Sequence, residues 1–158
     1  MNEYMPAGGP AGAGQAATAV SPVDGNSPPV LDVTFTSGTL HDLRAEVRAQ
    51  ACRAGFRDSR LAEMVLALHE LAANAVRHGA GAGRLRIWNL TGAWHCQVDD
   101  GPPGSGDSPW LGTCIRAVIS SLTAVPGHGL GVVQQVADQM QILSGPYGTS
   151  AMVTFGRP

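Results

Sequence analysis

The sequence predicts a two-layer α/β sandwich, in which helices cover one face of a mixed and mostly antiparallel sheet. Two observations predict this fold class. Apolar residues recur at helical spacing over residues 39–54 and 58–78, whereas apolar and polar residues alternate over residues 31–36, as they do in a half-buried strand. Helices and adjacent strand pairs are also segregated along the chain, which is typical of a two-layer α/β sandwich.

The chain is predicted to divide into a tail and one domain. Residues 1–29 are rich in Gly, Ala, Pro and Ser, so this segment cannot bury enough apolar surface to offset the entropy of ordering it. We therefore expect a disordered tail over residues 1–29 and a single domain over residues 30–158. A chain of 158 residues is long enough for one domain with a substantial core.

The first half of the domain is predicted to hold one strand and two helices. Asp58 or Ser59 can cap the second helix by accepting hydrogen bonds from its first backbone N–H groups, and Gly79 can end it. The predicted elements are, in order, a strand over 31–36, a helix over 39–54 and a helix over 58–78.

The second half is predicted to begin with a strand pair that a tight turn at Thr91 and Gly92 joins. Residues 101–128 predict a long connection, which is usually functional or disordered, with an apolar patch at 114–122 that could form a short helix. The other predicted elements are strands over 84–90 and 93–99, a helix from Gly129 to about Gln139, and strands over 140–144 and 150–155.

Composition argues against several classes of function. The net charge of −2 argues against a basic nucleic-acid-binding surface, and the absence of Lys excludes a lysine contact to phosphate. Cys52, Cys96 and Cys114 lack the spacing of a metal or disulfide framework, so we expect small buried residues in a reducing compartment. No stretch of roughly 18 apolar residues predicts a membrane span and no secretory signal is present, so we expect a cytoplasmic protein.

The second predicted helix carries a polar group opposite its apolar stripe. From Glu70 to Gly79 the sequence reads Glu-Leu-Ala-Ala-Asn-Ala-Val-Arg-His-Gly. At about 100° per residue, Asn74 and Arg77 fall within about 40° of Glu70. A solvated helix edge would account for this group, although the face is otherwise poor in charge. Alternatively, the amide oxygen of Asn74 could bind Mg²⁺ beside phosphates, and Glu70 could orient or deprotonate a nucleophile.

Two glycine-containing segments follow. Asp99 and Asp100 end a predicted strand before Gly101, where a carboxylate could accept a hydrogen bond from an exocyclic amine or belong to an ordinary Asp-Gly turn. Residues 127–131 read Gly-His-Gly-Leu-Gly and open a predicted helix, where backbone N–H groups could bind an anion. A flexible loop before a helix would account for the same residues.

In this order, the segments resemble those of the GHKL ATPases, the superfamily of gyrase, histidine kinases and heat-shock chaperones with the Bergerat ATP-binding fold. The matching segments are the N box at 70–79, the first glycine box at 99–104, the second at 127–131, and Gly148 with Thr149 before the last strand. Pro103 departs from the pattern, because it stands where the first box usually has its second glycine. Within the superfamily, the chain looks most like the stand-alone regulators similar to anti-sigma-factor serine kinases.

The resemblance implies roles for individual residues. Glu70 would be the general base on the hydroxyl of a partner's serine, and Asn74 would coordinate Mg²⁺. Asp99 would bind the adenine amine, with Thr149 near the same water, and Arg77 is the candidate phosphate contact. The other residues implied in nucleotide binding are Gly101, Gly127, Gly129, Leu130 and Gly131.

We therefore interpret the sequence as an ATP-binding regulatory protein, an anti-sigma factor and protein-serine kinase that uses Mg-ATP to phosphorylate an antagonist protein. The expected partners are a sigma factor, that antagonist or both, without direct contact to nucleic acid or membrane, and regulators of this type are often homodimers. Two alternatives stay open. One is an ATP-binding partner-switch module with little or no kinase activity, which Pro103 favours, and the other is an interaction domain that binds no nucleotide.

Overall fold

The computed structural model describes residues 27–100, 116–117, 130–145 and 148–157. A short 3-10 turn at Ser37–Thr39 precedes the first α-helix. The described elements are β1 (Leu31–Thr36), α1 (Leu40–Arg53), α2 (Asp58–His78), β2 (Ala82–Leu90), β3 (Ala93–Asp100), β4 (Arg116–Ala117), α3 (Leu130–Val136), β5 (Gln139–Gly145) and β6 (Gly148–Gly156).

The described strands form one sheet in the order β1-β2-β3-β6-β5-β4, and each described pair of neighbours is antiparallel. The predicted turn joins β2 to β3, and its two residues, Thr91 and Gly92, have φ angles of 49° and 77°. Two successive positive φ angles match the twist of a two-residue hairpin to that of its strands. The turn therefore fixes the register in which β2 and β3 pair.

The three helices pack against one face of this sheet. α2 is central, because it packs on α1, on α3 and on the inner strands β2 and β3. Trp94 of β3 is almost fully buried beneath the helices and meets the ring of Phe56 edge to face, with the ring centres 5.2 Å apart. Among the residues that the structure describes, the largest fully buried side chains are Trp94, Phe35, Phe56, Phe155, Met64 and Leu68. The predicted two-layer α/β sandwich is thereby confirmed, and its described strand pairs are all antiparallel.

Two of the three cysteines lie within the described residues, and both are free thiols. Cys96 is buried in the core, where burial raises the pKa of its thiol well above the ordinary value, because a low-dielectric interior disfavours the thiolate. Cys52 is half-buried. Cys96 is therefore an unreactive apolar side chain, as the sequence predicts, and Cys114 lies outside the described residues.

The start of α2 differs from the prediction. The helix begins at Asp58 after Arg57, which is extended, and no side chain caps it there. The guanidinium of Arg57 instead donates hydrogen bonds of 2.7 Å to the carbonyl oxygens of Cys52 and Phe56. Because this side chain satisfies the carbonyl groups of the turn between α1 and α2, the turn is held without a capping Asp or Ser.

The end of α3 also differs, since the helix stops at Val136 rather than near Gln139. The backbone N–H of Asp138 donates to the carbonyl oxygen of Thr154 at 2.9 Å, so the chain has already joined β6 at that point. Pairing with the sheet therefore replaces the last helical turn that the sequence predicts.

Other predictions concern segments that are only partly described. Most of the predicted tail over 1–29 and most of the connection over 101–128 lie outside the described residues. Arg116 and Ala117 form β4, which pairs with Leu143 and Ile142 of β5, so the short helix predicted over 114–122 is wrong at these two positions. None of the described helices is long and apolar enough to cross a bilayer.

Candidate functional site

α2 presents Glu70 and Asn74 on a side that differs from its buried stripe. Both residues are half-buried, and Arg77, almost one turn further on, is exposed. Side chains four residues apart in a helix lie about 5–6 Å apart at their Cβ atoms, so this carboxylate and this amide can act on one ligand. The α2 residues that pack into the core include Leu61, Met64, Val65, Leu68, Leu71, Ala72 and Ala75.

The C-terminal end of α2 lies directly against the end of β3. A Cβ atom on Gly79 would stand 2.8 Å from both Cβ and Oδ2 of Asp100, and it would also collide with the carbonyl oxygen of Ala75. Only a residue without a Cβ atom therefore lets the helix end this close to the sheet. The predicted end of the helix at Gly79 is confirmed, and these contacts explain why the residue at this position is glycine.

Asp100 also contacts the start of β6. Its Oδ1 atom accepts a hydrogen bond from the backbone N–H of Thr149. Gly148, the preceding residue, has a φ angle of 128°, and a Cβ atom there would collide with Oδ1 of Asp100. The carboxylate of Asp100 therefore lies between the end of α2 and the Gly148–Thr149 pair.

Asp99 lies on the opposite side of the sheet, the face that points away from the helices and is called the back face below. Its carboxylate accepts a hydrogen bond of 2.7 Å from Arg86, and the two side chains are only 14% and 15% exposed. Gln97 donates to both carboxylate oxygens, at 2.8 and 3.1 Å, and also to the hydroxyl of Ser150. Both oxygens of Asp99 therefore take part in holding the back face together.

Strand alternation explains why two adjacent aspartates separate in this way. Trp94, Cys96 and Val98 of β3 are buried toward the helices. Because side chains alternate along a strand, Asp100 continues that series and Asp99 points to the back face.

Thr149, which the resemblance associates with Asp99, donates its backbone N–H to the carboxylate of Asp100 in the structure. The spacing of the glycines does not single out Asp100, whereas the two-residue period of apolar positions in β3 places it on the helix-facing side of the sheet. The nucleotide contact of Asp99 itself stays a prediction.

α3 carries the last two residues of the second glycine box. Leu130 is half-buried and packs against the core, and α3 packs on α2. A Cβ atom on Gly131 would meet nothing within 4 Å, so no described neighbour requires glycine there. The predicted contacts Gly101, Gly127 and Gly129 lie outside the described residues.

The donor groups on α2 fit a metal ion only together with phosphates. The described residues contain no group of three or more His, Cys, Asp or Glu side chains that could hold a metal ion. The Oδ1 atom of Asn74 is buried, and a neutral amide oxygen is a ligand that Mg²⁺ accepts. Because Mg²⁺ is usually held by one or two protein oxygens together with substrate phosphates, this donor set fits a metal–nucleotide complex.

The fold and the polar residues define a class, an α/β sandwich with a candidate ligand site where its central helix meets the ends of two strands. The chain belongs to the family of the histidine kinase-like ATPase domain, whose model matches residues 33–155. A comparison with curated proteins finds no match. Membership in this family confirms the resemblance to the GHKL-type ATPases and supports an ATP-binding regulatory function with activity of the ATPase or kinase type.

Proposed function

We propose that the protein is an anti-sigma factor and a protein-serine kinase that uses Mg-ATP to phosphorylate an antagonist protein. The observation that carries the proposal is the half-buried pair of Glu70 and Asn74 on α2, a helix whose end lies against Asp100. Phosphoryl transfer to a hydroxyl group needs a metal ligand and an acid that can orient or deprotonate the nucleophile. This pair offers both groups one helical turn apart.

We assign recognition of the nucleotide base to Asp100 in place of Asp99. The N–H of Thr149 occupies one acceptor position of the Asp100 carboxylate, and a carboxylate has about four such positions. Its Oδ2 atom beside Gly79 is therefore suited to accept a hydrogen bond from the exocyclic amine of adenine. Asp99 is less suited, because Arg86 and Gln97 already bind its two oxygens.

Asn74 is assigned to the metal and Arg77 to the phosphates. The buried Oδ1 atom of Asn74 would be a ligand of Mg²⁺, which would supply positive charge beside the phosphate oxygens when bound. The exposed Arg77 can reach a phosphate from the end of the same helix. Leu130 and Gly131, with the predicted contacts Gly101, Gly127 and Gly129, complete the proposed nucleotide contacts.

Glu70 is assigned the role of general base. It takes the proton of the serine hydroxyl while the hydroxyl oxygen bonds to the γ-phosphorus of ATP. The bond between that phosphorus and its bridging oxygen breaks, and ADP leaves with the bond electrons. A positioned base of this kind accelerates transfer by roughly 10²–10⁴-fold.

A second candidate is an ATP-binding partner switch with little or no kinase activity. Pro103 favours it, because a proline in the first glycine box fixes φ and removes a backbone donor. In this case Asp100 and Asn74 would still bind Mg-ATP, whereas the carboxylate of Glu70 would have no catalytic role.

Two substitutions test the proposal. Asn74→Ala is expected to weaken ATP binding when Mg²⁺ is present and to change it little when Mg²⁺ is absent, as isothermal titration calorimetry measures. Glu70→Gln is expected to keep ATP binding and to slow phosphate transfer by roughly 100-fold or more. Any small antagonist-domain protein encoded near the gene would serve as the acceptor to be tested, and transfer would be followed by mass spectrometry of the acceptor serine.

Asn89→Ala and Glu46→Gln are the matched controls, because both residues are exposed and lie outside the proposed site. Unchanged transfer by Glu70→Gln, or an Asn74→Ala effect that does not depend on Mg²⁺, would contradict the assigned roles. ATP binding without transfer to any of these acceptors would support the second candidate, and the absence of ATP binding would contradict both.

A further inference from the structure

α3 is a short helix that needs anchors elsewhere in the fold. It spans seven residues, Leu130–Val136, and helices of this length are marginal in isolation. Val133 anchors its middle, since this side chain is fully buried in the core. The position of its C-terminal end depends on contacts outside the helix.

Arg60, near the start of α2, makes those contacts. Its Nη1 atom donates a hydrogen bond of 2.6 Å to the carbonyl oxygen of Val136, the last residue of α3. A cation is favourable at this end of a helix, because the last carbonyl groups lack partners within the helix. The guanidinium also lies 5.4 Å from the centre of the Phe155 ring, which is fully buried.

A second contact ties the same guanidinium to the sheet. Nη2 of Arg60 donates a hydrogen bond of 2.7 Å to Oδ2 of Asp138, and this oxygen also accepts the backbone N–H of Gly156 at the end of β6. The backbone N–H of Asp138 donates to Thr154. Arg60 and Asp138 therefore join three elements, the start of α2, the end of α3 and the end of β6.

We propose that Arg60 is a positioning residue for the nucleotide site. It fixes the C-terminal end of α3, and through this short helix it sets where Leu130 and Gly131 lie relative to Asn74 on α2. Arg60 itself touches no ligand. The inference rests on the proposed function as far as the nucleotide is concerned, whereas the anchoring of α3 stands on the contacts of Arg60 alone.

Arg60→Met and Asp138→Asn test the inference in the full chain. Arg60→Met removes the hydrogen bonds to both Val136 and Asp138. It is expected to weaken Mg-ATP binding roughly tenfold or more, because losing a single charge-assisted hydrogen bond corresponds to about that factor. Hydrogen exchange of the backbone amides of α3 should accelerate by a similar factor, while exchange in β2 and β3 stays unchanged. Asp138→Asn should act in the same direction and more weakly, and Arg60→Lys should restore part of the binding because it keeps the charge.

Asp32→Asn is the matched control. The carboxylate of Asp32 accepts two hydrogen bonds of 2.7 Å, from Nε and Nη2 of Arg84. These contacts lie between β1 and β2, away from α3. This variant should leave Mg-ATP binding and the exchange of α3 unchanged.

The outcomes separate this inference from the proposed function. Unchanged exchange in α3 of Arg60→Met would overturn the anchoring, and so would equal acceleration in every element, which would reveal a general loss of stability. Unchanged Mg-ATP binding with faster exchange in α3 alone would overturn the link to the site. If the unsubstituted protein binds no ATP, the proposed function and that link fail together, and the exchange measurement still decides whether Arg60 anchors α3.

Discussion

Asp99 and Asp100 are adjacent at the end of β3, and their side chains lie on opposite faces of the sheet. The same type of side chain makes different contacts on each face. On the back face, Asp99 is bound by Arg86 and Gln97 within a network that is largely closed to solvent. On the helix-facing side, Asp100 binds one backbone N–H and lies in the narrow space between Gly79 and Gly148. The two carboxylates therefore differ in their contacts, although the residue type is the same.

The neighbours of the two carboxylates explain this difference. The partners of Asp99 are a cation and an amide, and the guanidinium of Arg86 also lies 5.6 Å from the centre of the Trp88 ring. Such charge-assisted contacts bring neighbouring strands together. The neighbours of Asp100 are instead backbone groups and two glycines, which bring the main chain close to the carboxylate.

The largest expected effect separates the two aspartates directly. Asp100→Asn should weaken ATP binding by roughly 100-fold or more, because the amide nitrogen replaces an acceptor that the proposed site needs for the adenine amine. Its stability should change little, because the amide oxygen can still accept the N–H of Thr149. Calorimetric titration with ATP and urea unfolding of the same variant measure the two effects.

Asp99→Asn should show the opposite pattern. The substitution leaves the largely buried guanidinium of Arg86 without the carboxylate that it binds, which lowers the free energy of unfolding by about 1–3 kcal/mol. The folded protein should bind ATP nearly as tightly as before. If Asp99→Asn abolished ATP binding at unchanged stability while Asp100→Asn bound normally, the assignment made from the sequence motif would be right and ours would be wrong.

Crowding of the helix-facing side is expected to change stability by a similar amount. Gly79→Ala places a Cβ atom 2.8 Å from Cβ and Oδ2 of Asp100, so the end of α2 or the carboxylate must move. Overpacking of this kind lowers the free energy of unfolding by about 1–3 kcal/mol. ATP binding should weaken as well, because Asp100 is displaced.

Gly38→Ala is the matched control for Gly79→Ala. A Cβ atom at Gly38 would meet its nearest neighbour, the hydroxyl oxygen of Thr36, only at 3.9 Å. Urea unfolding should place this variant within about 0.5 kcal/mol of the unsubstituted protein. Equal stability of Gly79→Ala and Gly38→Ala would show that α2 and β3 are not held as closely as the steric contacts require.

The sequence predicts the fold and the N-box helix because both depend on local patterns. The spacing of apolar residues in α2 marks its buried stripe, so the position of Glu70 and Asn74 outside that stripe follows from the helical repeat. Alternation along β3 also predicts that Asp100 faces the helices, whereas the spacing of the glycines indicates Asp99 as the nucleotide contact. The two local patterns therefore indicate different residues at this strand end. The face of the sheet to which each side chain points distinguishes the two residues.

The remaining features depend on contacts between distant parts of the chain. Arg60 meets Asp138 across 78 residues of sequence, and no periodic pattern relates them. The early end of α3 also depends on a distant contact, because the carbonyl oxygen of Thr154 in β6 accepts a hydrogen bond from the backbone N–H of Asp138. Such pairings depend on how the elements are arranged in space, which a local pattern does not contain.

The smallest expected effect concerns the pH dependence of the back face. His95 lies there, 3.3 Å from the hydroxyl of Thr154, and its burial lowers the pKa of the imidazole below the ordinary value of 6.5. The unfolded chain therefore binds a proton more readily than the folded protein, so the protein should lose stability as the pH falls below about 6.5. His95→Gln should remove this part of the loss, seen as a smaller difference between urea unfolding at pH 8 and at pH 5. His41→Gln on the exposed side of α1 is the control, and a pH dependence that both variants share with the unsubstituted protein would exclude His95 as its source.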